Sequence, residues 1–458
     1  MLTAARRALT RPLEKFLDII GNWYFREGGV ALVLPNGRWC YLGPGPQWPA
    51  VKFTSWRDIW RMLLTLSFTL TFTDAYTHGR IKRLLGLNQT EDGVLYRFLK
   101  TVAINTREPR ILEWLLTFRP RPRNTGRHDQ SDNIGQHYDG PPGSQHHVQW
   151  WYGAVLGPTQ LYTCARYDTP GASLDDAQHA KLDDIAAKLG LVVPEMPEDW
   201  DANGRLRLLD LGCGWGYGAC YLAQTYGVRV VGLTISVEQL RAARQLAQDM
   251  KVGHLVAFEL INVLDLPEHV GPGRSFPELF DGLYTIGMVE HIAHSQYVEL
   301  FRVMRQVLKP GAPMLVHCIT NRFGGPPDPM VQRIFPGSRL GSVDQLIRAA
   351  LRAGLHVVGH DNLWQHYTKT CLDWVAAHVR HREEITERLG PEFYNLRLLW
   401  LVGSAANFEV GPLQLTQLDL TNGKPSHGKF PWNRLLQAVR LLRTLGHMLT
   451  PDVASPRH

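Results

Sequence analysis

The residues with the clearest chemical potential form a glycine-rich run, Asp210-Leu211-Gly212-Cys213-Gly214-Trp215-Gly216, where an apolar strand turns into a helix. Glycines at such a turn let the backbone approach a ligand closely, and the free N–H groups of the helix N-terminus are well placed to bind it. Dinucleotide enzymes and methyltransferases both use this arrangement. A tight turn in which the glycines serve packing alone is the alternative interpretation.

The end of the following strand narrows the choice of ligand. A dinucleotide site places an acidic residue about 20 residues after the glycines, where it binds the ribose hydroxyls. Here the strand ends Gly232-Leu233-Thr234, without an acid. The sequence therefore favours a methyltransferase-type site over an NAD site.

The elements that must position this turn alternate along the chain. Short apolar runs and amphipathic stretches follow one another through residues 134–421, which predicts βαβ units around a parallel sheet. The clearest predicted strands lie at 206–214, 229–235, 279–288 and 313–320, and the clearest helices at 236–250 and 295–308. Nearer the N-terminus, Pro35-Asn36-Gly37 separates two apolar runs within 28–43, which predicts a β-hairpin followed by helical segments through 56–103.

Four regions differ in composition. We predict an N-terminal accessory domain (1–116), a linker rich in arginine and proline (117–133), a catalytic domain (134–421) and a basic amphipathic tail (422–458). The tail carries six basic residues against one acid, in a chain of net charge +7. Its apolar positions share one helical face, which fits a helix on an anionic membrane surface or one packed on the protein.

Composition excludes several classes of protein. With 44% hydrophobic and 20% charged residues among 458, the chain is globular. Its six cysteines contain no CxxC pair, so we expect neither a disulfide framework nor a zinc ribbon. We expect the protein to lie in a reducing compartment. The longest uncharged apolar run, 62–72, is too short to span a bilayer. No metal site is predicted, because the clustered histidines lack ligand spacing: His128, His137, His146 and His147.

Several motifs together resemble one family. LDLGCGWGYGACYLAQTYGVRVVGLTISVEQ, GMVEHIAHSQYVELF, LKPGAPMLVHCIT and IFPG resemble the cyclopropane-fatty-acyl-phospholipid synthases, which include the mycolic-acid cyclopropane synthases and use S-adenosylmethionine. The resemblance extends to HYD at 137–139 and, through LPNG and DAYTHG, to the accessory domain of the longer synthases. It implies a seven-stranded, Rossmann-like class I methyltransferase domain of the α/β class with a smaller N-terminal accessory domain.

The resemblance also implies roles for individual residues. The positions that match the S-adenosylmethionine site are Tyr162, Thr163, Asp210, Gly212, Gly214, Gly216, Thr234, Gln239 and Asn262. Those that match the surroundings of a bicarbonate, the family's general base, are Cys164, Glu290, His317, Ile319 and Trp400.

The chemistry explains these residue types. Methyl transfer to a cis double bond leaves a carbocation, and a base must then remove a proton from the new methyl group so that the ring closes. A weakly nucleophilic anion, oriented by Glu290 and His317 and by backbone amides near Cys164 and Ile319, suits this task in a dry cavity. Each residue also has a plainer interpretation: Glu290 as a helix cap, His317 as a core histidine, and Cys164 as a small buried apolar residue.

Three positions depart from the family pattern. Trp400 stands where the family has a tyrosine, and an indole offers one N–H donor but no acceptor. Asn262 replaces an aspartate near the adenine, although its amide oxygen can still accept from the adenine amine. Gly140-Pro141-Pro142-Gly143 replaces the residues that follow HYD beside the acyl site.

The sequence as a whole predicts an enzyme that transfers the methyl group of S-adenosylmethionine to unsaturated acyl chains of phospholipids, forming cyclopropane fatty acids. Methyl-branched or methylene products, small-amine N-methylation and a non-catalytic lipid-binding module are the alternatives. The expected location is cytoplasmic, peripheral to the inner face of the membrane. A homodimer is compatible with the sequence, and no nucleic-acid partner is expected because the basic excess lies in a leucine-rich helix.

Overall fold

A computed structural model describes most of the chain. The described residues are 15, 17, 19, 24–44, 49–65, 68–84, 91–105, 145–192, 206–322, 329–335 and 338–423. The predicted linker, residues 424–458 of the predicted tail, and 137–143 lie outside them, so the domain boundaries remain predictions. No helix among the described residues is long and apolar enough to cross a membrane.

The N-terminal region forms a small four-stranded sheet. Its strands are β1 (Val30–Val33), β2 (Trp39–Leu42), β3 (Ala50–Phe53) and β4 (Ile81–Leu84), in the order β2-β1-β3-β4. The predicted hairpin is confirmed, since β1 and β2 pair antiparallel and Gly37 takes a positive φ of 84° at the turn. The helical prediction for 56–103 was wrong at β4. Strand β4 has only four residues, which is too short for an alternation of apolar and polar residues to be recognised in the sequence.

A seven-stranded sheet forms the centre of the second region. Its strands are β5 (Arg207–Leu211), β6 (Arg229–Thr234), β7 (Val256–Leu260), β8 (Gly282–Ile286), β9 (Pro313–Asn321), β10 (His356–Asn362) and β11 (Leu413–Thr421), in the order β10-β11-β9-β8-β5-β6-β7. The sheet is mixed rather than parallel, because β11 runs antiparallel to both of its neighbours. Between β10 and β11 the chain passes through two helices and returns to the edge of the sheet at which β10 ends. Strand β11 therefore runs in the opposite direction to β10.

Helices cover both sheets. They are α1 (Trp56–Thr65), α2 (Phe68–Thr77), α3 (Glu91–Asn105), α4 (Gln145–Leu156), α5 (Leu174–Lys188), α6 (Tyr217–Tyr226), α7 (Val237–Asp249), α8 (Tyr297–Val307), α9 (Pro329–Ile334), α10 (Val343–Arg352), α11 (Trp364–Arg380) and α12 (Arg382–Glu409). The predicted helices at 236–250 and 295–308 correspond to α7 and α8. Helix α12 breaks at Gly390, which has a positive φ of 84° and precedes a proline.

The N-terminal region and the last two helices share one apolar core. Phe98 of α3, Trp151 of α4 and Leu401 of α12 belong to the same buried cluster. Polar contacts reinforce this packing, since Lys100 forms an ion pair with Glu409 at 2.7 Å. The accessory region therefore supports the helix that carries Trp400.

Candidate active site

The glycine-rich run forms the turn between β5 and α6. Gly212 has a positive φ of 86°, and a Cβ atom there would lie 2.9 Å from the Met288 side chain, so only glycine fits. Gly216 caps α6 without a side-chain bond, and a Cβ there would lie 2.7 Å from Ala243. Gly212 and Gly214 line a cavity, whereas Gly216 serves helix packing behind it.

This cavity brings the predicted cofactor residues together. Of the nine, eight line it: Tyr162, Thr163, Asp210, Gly212, Gly214, Thr234, Gln239 and Asn262. Its polar groups are held by their neighbours, because the Thr234 hydroxyl donates to Gln239 Oε1 at 2.9 Å and Asn262 Oδ1 accepts from the Leu264 N–H at 3.0 Å. The uncapped N-terminus of α6 and this polar rim fit the adenosyl and amino-acid parts of S-adenosylmethionine.

Glu290 follows β8 and is bound to the neighbouring strand. Its Oε1 accepts the Ile319 N–H of β9 at 2.7 Å, while the buried Oε2 has no hydrogen-bond partner. Burial raises the pKa of Glu290 to about 7, against the opposing effect of the Ile319 N–H. The cap interpretation is not supported, because Ala293 occupies the N-cap of the next helical turn and has no side-chain bond.

His317 lies two residues before Ile319 on β9, so the two side chains share one face of the sheet. Lys188 donates to Gln417 Oε1 at 2.6 Å, which leaves the Gln417 amide nitrogen to donate to His317 Nδ1 at 3.0 Å. The imidazole then carries its proton on Nε2, which is buried without a partner. Burial, with the charges of Lys181 and Lys188, holds the pKa of His317 well below its usual value, so the ring is neutral.

The third part of the site is the turn that contains Tyr162 and Cys164. Trp400 donates its indole N–H to the Tyr162 hydroxyl at 3.0 Å. The tryptophan that stands in place of the family tyrosine thus bonds to a residue of the predicted cofactor site. Burial raises the pKa of the Cys164 thiol, and its sulfur donates to the Ala165 carbonyl at 3.1 Å. A buried thiol of raised pKa stays protonated, which agrees with the interpretation of Cys164 as a small buried apolar residue.

Sequence reasoning missed two residues of α5 that hold this turn. Lys181, 1% exposed, donates to the Thr163 hydroxyl at 2.9 Å and to Gln178 Oε1 at 2.7 Å. Gln178 in turn donates to the Thr163 carbonyl at 2.9 Å. Burial lowers the pKa of Lys181 to about 7. The sequence offers one signal, two polar residues three apart on the otherwise apolar face of α5, but this signal does not identify the turn that they hold.

Comparison with known proteins identifies the family. The family model described as mycolic acid cyclopropane synthetase matches residues 126–418. A probable fatty acid methyltransferase of Mycobacterium tuberculosis is 32% identical over 64% of this chain and 64% of its own length, so the match spans less than two thirds of that relative. A probable fatty acid methyltransferase of Pseudomonas putida is 30% identical over 69% of this chain and 75% of its own.

A solved structure shows the same fold. The mycolic acid cyclopropane synthase CmaA1, complexed with SAH and CTAB, superposes with a TM-score of 0.54 at 27% identity and covers 66% of this chain and 99% of its own. The predicted seven-stranded methyltransferase fold and the predicted enzyme type are thereby confirmed at the level of fold and family. The chain belongs to the mycolic acid cyclopropane synthetase family and is an S-adenosylmethionine-dependent methyltransferase of the cyclopropane synthase type.

Proposed function

We propose that this protein transfers the methyl group of S-adenosylmethionine to a cis double bond of an unsaturated phospholipid acyl chain and closes a cyclopropane ring. One observation carries the proposal: the cavity lined by eight of the predicted cofactor residues is bordered by the loop that holds Glu290, a buried carboxylate with one oxygen left without a partner. Most buried polar atoms in proteins have a hydrogen-bond partner, so an open carboxylate oxygen beside a cavity supports a role in binding a ligand.

The reaction balances as a substitution followed by loss of one proton. The alkene π electrons form the new C–C bond as the C–S bond breaks, and the other alkene carbon becomes a cation. A base removes a proton from the transferred methyl group, and those electrons close the ring. The apolar side chains packed on this side of the sheet, with Ile319 and Tyr162 among them, keep water from the cation.

Bicarbonate fits the site as that base. Two buried atoms lack partners, Glu290 Oε2 as an acceptor and the neutral His317 Nε2–H as a donor, and a bicarbonate ion offers the matching hydroxyl and oxygen. When bound, it would supply a weakly nucleophilic base. The chain's own contribution is to fix His317 through Gln417 and Glu290 through the Ile319 N–H.

A second product class is favoured by one contact. The Trp400 N–H is taken by Tyr162, so the group at the position of the family tyrosine offers nothing more to an anion. If the cation then loses a proton from a neighbouring chain carbon, the product is a methyl-branched chain with a retained double bond. If a hydride first shifts from the methylated carbon to the cationic carbon, loss of a methyl proton gives a methylene chain instead.

The substrate and location follow the same proposal. Two relatives are named as fatty acid methyltransferases, and the basic amphipathic stretch at 422–458 suits attachment to anionic headgroups from the cytoplasmic side. A phospholipid acyl chain is therefore the proposed acceptor, and a homodimer on the membrane is compatible with this arrangement.

Expression in a host without cyclopropane lipids tests the function. Gas chromatography–mass spectrometry of the lipid extract should show acyl chains heavier by one CH2, and the upfield proton resonances of cyclopropane should separate the ring from an isomeric methylene chain. Glu290→Gln should abolish the product while Glu268→Gln, an exposed control, preserves it. Unchanged acyl chains with the wild-type protein would refute the proposal.

A further inference from the structure

One buried cation of the described chain has no counter-charge. Arg397 of α12 is 8% exposed, and its Nη1 has no hydrogen-bond partner. No described acidic residue forms an ion pair with this guanidinium. A buried charge without a partner is costly, so its retention calls for a ligand or another source of compensation.

Aromatic rings hold this guanidinium in place. Its Cζ atom lies 5.0 Å from the centre of the Trp151 ring and 5.2 Å from that of Phe393. Trp151 is itself fixed, because its indole N–H donates to His378 Nδ1 at 3.0 Å and the other His378 nitrogen contacts the Tyr394 carbonyl at 3.0 Å. These rings orient the arginine and contribute cation–π attraction, but they supply no acceptor for Nη1.

Another unpartnered donor lies close to Tyr162, and no carboxylate of the described residues bonds to it. Trp374, 2% exposed, has an indole N–H without a partner, and its ring lies 5.0 Å from that of Tyr162. Arg397 lies beside the Tyr162 hydroxyl, and its charge partly opposes the rise that burial causes in the pKa of that group. His378 cannot balance the charge, because burial lowers its pKa to about 4 and leaves the ring neutral.

We propose that Arg397, with the Trp374 N–H and the Tyr162 hydroxyl, forms a binding site for a carboxylate-type anion. Two oxygens that share one negative charge match a guanidinium edge, and the surrounding rings exclude water. Bicarbonate and the carboxylate of a fatty acid share this chemistry. The assignment rests on the proposed function and deepens it: a fatty-acid carboxylate at Arg397 would make free fatty acid the acceptor, whereas bicarbonate there would occupy an anion site separate from Glu290 and His317, neither of which has a described electrostatic contact with Arg397.

Three full-length variants test the site. Arg397→Met removes the positive charge but keeps an unbranched side chain. Arg397→Lys keeps the positive charge but lacks the planar guanidinium that can bind two oxygens. Arg388→Met is the matched control, because Arg388 lies on the same helix and over an aromatic ring, 4.4 Å from the centre of Trp150, but is exposed. Thermal unfolding is followed against sodium bicarbonate and, separately, against sodium oleate, with sodium chloride at matched ionic strength and pH as the reference.

The expected result is a wild-type melting temperature that rises with one of the two anions beyond the chloride reference. Arg397→Met should raise the half-saturating concentration of that anion about tenfold or more, Arg397→Lys should restore part of the effect, and Arg388→Met should match the wild type. SAH binding by calorimetry checks that each variant is folded. The anion that shifts the wild type identifies the source.

Two results would overturn the site: a wild type that responds to neither anion beyond chloride, or an Arg397→Met variant that responds as the wild type does. Because unfolding needs no turnover, the outcome is separate from the proposed function. A chain that makes no cyclopropane lipid yet shows an Arg397-dependent shift retains the site and loses the proposed reaction.

Discussion

The cofactor end and the base end of the active site differ in how their polar groups are satisfied. At the cofactor end, Thr234 and Gln239 bond to each other and Asn262 bonds to its own backbone turn. At the base end, Glu290 and His317 each keep one buried atom without a partner. The side chains of Thr234, Gln239 and Asn262 at the first end are thus already hydrogen-bonded, whereas Glu290 and His317 at the second each leave one buried atom open. Substitutions should therefore affect binding at one end and turnover at the other.

Loss of the Glu290 charge should have the largest effect. Glu290→Gln replaces an acceptor with an amide at the position proposed to orient the base, and general-base catalysis is worth about 10²–10⁴-fold. We expect product formation in vitro to fall by at least about 100-fold while the calorimetric dissociation constant for SAH stays within about twofold. A comparable loss of SAH affinity would show that the two ends are not separate.

The same variant should change how stability depends on pH. Burial raises the pKa of Glu290 from 4.5 to about 7, so the folded state keeps a proton that the unfolded state loses. The stability from this group is present below pH 4.5 and is lost as the pH rises through 7. As the pH rises from 4.5 to above 7, the unfolding free energy of Glu290→Gln should therefore increase by about 3 kcal/mol relative to that of the wild type. Denaturant titrations at several pH values measure this, and a constant difference would contradict it.

Disturbing the His317 tautomer should have an intermediate effect. Gln417→Leu removes the donor to Nδ1, so the ring can place its proton there and turn Nε2 into an acceptor. We expect a rate about tenfold lower with unchanged SAH binding, and nitrogen NMR of His317 should report the altered tautomer. Gln414→Leu on the same strand is the control. A wild-type tautomer in the Gln417 variant would exclude this role.

The smallest effect is expected at the cofactor end. Thr234→Val keeps the shape of the side chain but removes the hydroxyl that positions Gln239. The loss of one hydrogen bond, about 1 kcal/mol, should weaken SAH binding about fivefold and leave kcat at saturating S-adenosylmethionine nearly unchanged. A lower kcat with unaltered KM would remove the distinction between the two ends.

The sequence predicts the cofactor end better than the base end for a physical reason. The glycine turn and the strand that ends at Thr234 are local patterns, and eight of nine predicted residues line the cavity. The base end depends on contacts between distant segments. Gln417 orients His317 on the neighbouring strand, and Lys181 holds the turn at Thr163. The residues adjacent to Gln417 and Lys181 in the sequence do not indicate these partners. The reversed strand β11 escaped prediction similarly, because direction is set by the two helices before it.

The shared core of α3, α4 and α12 has a consequence for shorter relatives. The cyclopropane synthase MmaA2 is covered along its full length by 66% of this chain, so the remainder has no counterpart there. If the N-terminal region were deleted here, Leu401 and its neighbours would lose the packing that Phe98 provides. A fragment without the N-terminal region would expose this apolar surface and tend to self-associate. The helix that carries Trp400 would be less rigidly held. In this longer protein, the N-terminal region acts on the candidate site indirectly, through the packing of the helix that carries Trp400.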